Sequence, residues 1–237
     1  MNRYVFKLKK MGNTKYISHL DTMRTLHRAI RRAGFPLTYS KGFNPHPSIS
    51  FASPLSVGIE SFAEYIDIEF DSFIDKNEIL EKINFNMPIG LEVLKVIPIN
   101  KKMPTCMAAT YASKYEIKLK RSQNNKIEEA VNNIINAKEI IKTKKTKSGE
   151  KSINIKEMIF DLKIKNIDEN YFILECIVLT SNSGSLSPEV IADILKESVA
   201  IGVPIIKRTE MYTKVKNDLV PLDEFFSRMW LNDTTNR

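Results

Sequence analysis

Cysteine is scarce in this sequence, with Cys106 and Cys176 the only two among 237 residues. They lie 70 positions apart, so they form neither a Cys-x-x-Cys redox motif nor the clustered spacing of a zinc site. We therefore expect buried, reduced thiols in a cytoplasmic protein, and we expect neither a metal nor another cofactor.

Long apolar runs are missing as well. No stretch approaches the roughly 20 apolar residues that a membrane-spanning helix needs. The first residues, 1–7, alternate between apolar and polar instead of forming an apolar core, so we expect neither a signal peptide nor a membrane partner. Apolar residues still make up 43% of the chain, enough for one large core or two smaller ones.

Acidic residues are nearly absent from the first quarter of the chain. Residues 1–60 contain ten Lys and Arg but two acids, Asp21 and Glu60, an excess equal to the whole net charge of +8. In the rest of the sequence the opposite charges cancel. A positive charge concentrated in this way predicts a surface for a polyanion, most simply RNA.

Hydrophobic periodicity predicts an α+β fold of two tandem ferredoxin-like (βαββαβ) domains with antiparallel sheets. The same order of strand-like and helix-like periods occurs in both halves of the chain. In the first half we expect strands at 4–8, 35–39, 48–52, 64–70 and 91–97. We expect a domain at 1–98, a linker at 99–110, a domain at 111–215 and a helical tail at 216–237. A lysine-rich segment, 138–156, is expected to form a hairpin that turns at 148–149. Neither this hairpin nor a hydroxyl-rich loop, 180–188, receives a role from the sequence.

The first predicted helix, 19–33, has two contrasting faces. Ser18 and Asp21 resemble a capping box at its start, and Gly34 ends it. One face is apolar, and the other carries Arg24, Arg28, Arg31 and Arg32 within about 100° of the helix circumference. Because the planar guanidinium suits phosphate, this stripe is interpreted as a phosphate-binding surface; the alternative is an ordinary solvated face.

A stiff turn follows the helix. Gly42 permits a positive φ, while Pro45 and Pro47 hold the residues before them extended. Stacking, hydrogen bonding and ion pairing with RNA bases and phosphates are expected from Tyr39, Lys41, Phe43, Asn44 and His46. In the alternative interpretation, Phe43 fills the core while Asn44 and His46 brace the turn.

Each histidine of the chain, His19, His27 and His46, lies within the first 46 residues. His19 and His27 are eight positions apart, about 12 Å along a helix, so they cannot bind one metal ion. His27 borders the apolar face and is expected to pack. General acid–base chemistry by His19 or His46 stays open.

Four segments together resemble the bacterial radical SAM-linked, or radical SAM-associated, proteins, a family of uncharacterised function. These segments are 16–21, 28–34, 39–47 and 51–55. The resemblance implies a radical SAM enzyme as partner. The chain has no Cys-x₃-Cys-x₂-Cys, so it cannot itself hold the iron–sulfur cluster of such an enzyme.

Sequence and resemblance together favour a non-catalytic RNA-binding accessory protein that works with a radical SAM enzyme in modification of ribosomal or transfer RNA. One alternative is a metal-independent endoribonuclease with His19 or His46 as acid or base. The predicted pair of ferredoxin-like domains with a basic face resembles, at the level of fold alone, the CRISPR repeat-RNA processing enzymes. A second alternative is a protein-binding adaptor whose basic face meets an acidic surface of the enzyme.

Overall fold

A computed structural model describes residues 2–120, 126–146, 149–167, 170–198 and 202–235. These residues form six α-helices and twelve strands with mainly antiparallel pairing, so the predicted α+β class is confirmed. The chain divides into two compact units: unit 1 comprises Met1–Tyr111 and Arg208–Arg237, and unit 2 comprises Ala112–Lys207.

The strands are β1 (Asn2–Lys10), β2 (Ile49–Phe51), β3 (Glu60–Phe70), β4 (Leu91–Ile99), β5 (Ala112–Lys120), β6 (Ile141–Thr146), β7 (Gly149–Asn154), β8 (Ile159–Ile167), β9 (Tyr171–Ser181), β10 (Gly184–Ser185), β11 (Ile205–Val215) and β12 (Asp218–Pro221). The helices are α1 (His19–Arg32), α2 (Lys76–Phe85), α3 (Cys106–Ala109), α4 (Ile127–Asn136), α5 (Pro188–Ser198) and α6 (Leu222–Thr235).

The sheet of unit 1 has β1 at its centre, antiparallel to β3 on one side and to β4 on the other. The short β2 pairs with β3 at residues 66–68, and the unit 1 part of β11 also neighbours β3. Alternate residues of β1, such as Tyr4 and Phe6, face α1 and α2 and form the first core with Leu26, Ile30 and Ile79.

The opposite face of this sheet is apolar too, because Val5, Tyr65 and Ile97 point away from the first core. It forms a second core covered by α3 and α6, which supply Cys106 and Phe226. Apolar residues on both faces of a strand require cover on both. Residues 99–110 are therefore part of unit 1 and not a linker, and the tail packs on unit 1 instead of following a separate C-terminal domain.

The start and end of α1 follow the predicted local chemistry. The Ser18 side chain accepts a hydrogen bond from the Asp21 backbone N–H (3.1 Å), and its hydroxyl donates to the Asp21 carboxylate (2.7 Å). After the helix, Gly34 has a φ of 78°, a value that glycine adopts without strain. The helix runs from residue 19 to 32, one residue short of the predicted end at 33.

Unit 2 has β9 between β5 on one side and β8 and β10 on the other. Its helices α4 and α5 contact each other. The lysine-rich segment forms a separate antiparallel hairpin of β6 and β7, as its pattern indicates. The predicted turn at 148–149 lies partly outside the described residues.

The tandem ferredoxin-like arrangement stays a prediction. Unit 1 has the expected order of elements, β1-α1-β2-β3-α2-β4, but β2 is short and β3 also neighbours β11. The expected strand at 35–39 is reduced to single bridges from Leu37 and Tyr39, because Pro36 and the following turn interrupt a continuous ladder. Within the described ranges, no helix is long and apolar enough to cross a membrane.

Candidate nucleic-acid interface

The four arginines of α1 occupy one exposed face of the helix. Leu26 and Ile30 are fully buried on the other side, so packing against the sheet fixes which face points outward. All four are exposed, namely Arg24, Arg28, Arg31 and Arg32. The predicted stripe is therefore present at the surface.

One carboxylate accompanies this stripe near its beginning. Arg24 Nη1 lies 3.0 Å from Asp21 Oδ1, and both side chains are largely exposed. The hydrogen bond from Ser18, together with Arg24, lowers the pKa of Asp21. Asp21 thus stays charged and partly offsets Arg24, whereas Arg28 and Arg31 lie further along the helix.

The turn at 39–47 is held together through its backbone. Ser40 N donates to His46 O (2.8 Å), and His46 N donates to the Ser40 hydroxyl (2.9 Å). Gly42 has a φ of 132°, in the region where glycine is favoured. Phe43 is fully exposed and does not fill the core, while Lys41, Asn44 and His46 are exposed beside it.

A hydrogen bond joins this turn to α1. His27 Nε2 lies 2.9 Å from the Tyr39 hydroxyl, and the two rings meet edge to face with centroids 6.1 Å apart. Burial lowers the pKa of His27, and the neighbouring Arg31 and Arg28 lower it further. Because the neutral ring is favoured, His27 Nε2 can accept a hydrogen bond from the Tyr39 hydroxyl. The sequence predicted a packed His27 but not this hydrogen bond.

A family model described as "Uncharacterized protein conserved in bacteria (DUF2344)" matches residues 3–188. The chain belongs to this family. No functionally curated protein is similar enough in sequence to count as a relative of the DUF2344 chain.

Among solved structures, a chain from the crystal structure of a Cbf5–Nop10–Gar1 complex is similar to this DUF2344 protein in fold. The TM-score is 0.50 at 10% sequence identity, and the match covers 99% of this chain and 56% of the other. The chain thus spans just over half the length of that neighbour. An unknown protein from Galdieria sulphuraria matches with a TM-score of 0.27 at 11% identity, over 87% of this chain and 98% of the other.

His19, which with His46 is a candidate for acid–base chemistry, is the first residue of α1. Its half-buried ring meets Phe51 edge to face, with centroids 4.6 Å apart. Buried charged residues lie nearby: Lys10 donates to Ile17 O (2.8 Å), and Arg208 pairs with Glu64. This grouping of residues distant in sequence has no local signal, and the sequence did not reveal it.

The two catalytic candidates sit in different surroundings. His46 is exposed on the turn, whereas His19 packs on Phe51. In the described part of the chain, neither ring is hydrogen-bonded to a carboxylate that would orient it as in a catalytic triad. No cluster of three His, Cys, Asp or Glu side chains suited to a metal ion occurs among those residues either.

The surroundings of His19 make the stability of the protein depend on pH. Burial lowers the pKa of His19, the nearby Glu64 opposes this effect, and Lys10 reinforces it. In the unfolded chain the pKa is about 6.5. The unfolded state therefore binds more protons between that value and the lowered folded value, and stability falls as the pH drops through this window.

We expect His19→Gln to reduce this loss of stability between pH 7 and the onset of carboxylate protonation. Urea unfolding followed by circular dichroism at several pH values measures it. At pH 8, where His19 is neutral in both states, the same comparison gives the baseline change caused by the substitution. Equal pH slopes for the variant and the wild type would show that His19 does not contribute.

Proposed function

We propose that this DUF2344 protein is a non-catalytic RNA-binding accessory protein. It binds through a basic face composed of the four α1 arginines and the turn at 39–47. The observation that carries the proposal is the joint exposure of four arginines on one helix face and of Phe43, Lys41, Asn44 and His46 on the adjoining turn. The His27–Tyr39 hydrogen bond holds the two parts together.

The side chains of this basic face suit RNA binding better than those of an ordinary solvent-exposed charged surface. Arginine presents a planar fork of donors that matches phosphate, and the four cations occupy a single rigid helix. An exposed Phe43 ring offers a stacking platform for an unpaired base. Asn44 and His46 add hydrogen-bonding groups on a turn that loses little entropy on binding.

A radical SAM enzyme is the proposed partner, in modification of ribosomal or transfer RNA in the cytoplasm. The support is the sequence resemblance at residues 16–55 together with the lack of a cluster-binding cysteine motif. Cys106 and Cys176 are both buried free thiols, consistent with a reducing compartment. We also propose ferredoxin-like folds for both units, supported in unit 1 by its order of elements.

Incubation of the pure protein with a labelled, structured RNA in EDTA tests the proposal. We expect binding that weakens with added salt, measured by fluorescence anisotropy, and no cleavage on a denaturing gel. His46→Asn should keep most of the affinity, because the hydrogen bonds that shape the turn run through the His46 backbone.

Two other results would replace the proposal. Cleavage that is lost in His19→Gln or His46→Asn, with binding intact, would establish the endoribonuclease. An absence of RNA binding at low salt, combined with capture of a radical SAM enzyme from nuclease-treated lysate, would establish the protein-binding adaptor.

A further inference from the structure

A cleft of about 490 Å³ lies beside the basic face, between α1 and the segment that follows α2. Arg28 and Arg32 form one wall, and Phe85, Met87 and Pro88 form the other. Phe85 is the last residue of α2, and 89% of its surface is exposed. Folding removes little of this aromatic ring from water. A ligand that covers the ring therefore gains the free energy of burying its apolar surface.

The arginines of this cleft are placed by the fold. Arg28 and Arg32 are one helical turn apart, so their side chains leave α1 on the same side. Arg32 Nη2 donates to Asn86 O at 2.6 Å, which holds this guanidinium against the segment that carries Phe85. Among the described residues that line the cleft, none is acidic.

We infer that the cleft holds one unpaired nucleotide of the bound RNA. Its base stacks on Phe85, and the adjoining phosphate contacts Arg28 and Arg32. The inference rests on the proposed RNA binding and deepens it, because it specifies a single-stranded segment. In a duplex the base faces are covered by neighbouring bases, so a duplex can use the arginines but not the Phe85 ring.

Charge complementarity favours a nucleotide over a protein as the occupant. A protein partner would cover Phe85 with apolar side chains and leave two guanidinium groups needing carboxylates. A nucleotide supplies an aromatic face and an anion within one compact unit, matching the ring and the paired cations. The occupant of the cleft is therefore a nucleotide of RNA, and the experiment below also shows whether a protein occupies it instead.

The test compares two fluorescent RNAs, a single strand of roughly 12 nucleotides and a duplex of the same sequence. Phe85→Ala should weaken binding of the single strand by about 5- to 150-fold, the range for loss of one base stack. Phe85→Tyr keeps the ring and should keep the affinity. Phe73→Ala removes another exposed aromatic residue of unit 1 that does not line the cleft, and should have no effect.

Binding of the duplex should change little in Phe85→Ala, and unchanged urea unfolding would confirm that the fold is intact. If single-strand affinity is unaffected while arginine substitutions weaken it, the inference is wrong and the proposed RNA binding stands. Equal losses for both RNAs would likewise overturn it. If neither RNA binds the wild type, the proposed function fails and the inference with it. The wild type and Phe85→Ala are also compared for capture of partner proteins from nuclease-treated lysate. If the variant loses a protein that the wild type captures while its RNA affinity is unchanged, the cleft is a protein-docking site and the inference is wrong.

Discussion

Replacing Arg24, Arg28 and Arg31 together by Gln is expected to weaken RNA binding and to flatten its dependence on salt. Each arginine that neutralises a phosphate releases a counterion. The slope of the logarithm of the binding constant against the logarithm of the salt concentration should therefore become shallower by roughly 2–3 units. Arg24, which is shared with Asp21, is expected to contribute the least of the three. Anisotropy titrations at several salt concentrations measure both quantities.

The matched control is the triple variant Lys76→Gln, Lys101→Gln and Lys102→Gln. It removes the same charge from exposed positions of unit 1 outside α1. The control should retain most of the affinity and of the salt slope. Equal slopes for the wild type and the arginine variant would show that the stripe is only a solvated face.

Arg208→Met is expected to lower the free energy of unfolding strongly. The Arg208 side chain is 1% exposed and forms an ion pair with the buried Glu64, and its guanidinium also lies 3.4 Å from Ser53 O. Removing the arginine leaves the Glu64 carboxylate in the interior without its ion-pair partner. Loss of one partner of a buried pair costs about 3–5 kcal/mol of unfolding free energy, and urea denaturation would measure this loss.

The double variant Arg208→Met with Glu64→Met distinguishes the stranded charge from lost packing. Because both charges are absent, it should be clearly more stable than Arg208→Met, since apolar replacement of a whole buried pair is often neutral. A single variant that loses no more than about 0.5 kcal/mol, as a surface change does, would contradict the role assigned to the pair.

The first helix and the elements near it were predictable because their signals are local. Ser18, Asp21 and Gly34 mark the ends of α1, and the spacing of Leu26 and Ile30 fixes the face that packs. The exposed arginine face follows directly, because it is what remains. Strand alternation likewise predicted β1, β3 and β4 closely.

The partner of each element was not predictable. Periodicity shows that α6 has an apolar side, but nothing local says that Phe226 packs in the core containing Val5. The pair between Glu64 and Arg208 joins residues 144 positions apart. The segment 99–110 contains Pro and Lys, yet it is fixed by long-range contacts: Arg3 donates to Met103 O (2.8 Å) and Pro104 O (2.9 Å).

The placement of the candidate site was likewise predictable only where its residues lie close together in the sequence. The arginines and the turn were visible in sequence because they are contiguous and chemically unusual. The bond between His27 and Tyr39 depends on how the turn folds back on α1, and Phe85 reaches the arginines only through the packing of α2 beside α1. Neither contact has a sequence signature.

Because unit 2 is inserted between the two parts of unit 1, the ribosome completes unit 1 only after it has made all of unit 2. The basic face is made early by the ribosome, yet the sheet beneath it stays open on one side until Phe226 has emerged. During that interval Val5, Tyr65 and Ile97 lack the cover that α6 supplies, and exposed apolar surface of this kind is prone to aggregation. A premature stop after residue 207 would therefore leave every arginine of the basic face in place on a core that cannot close.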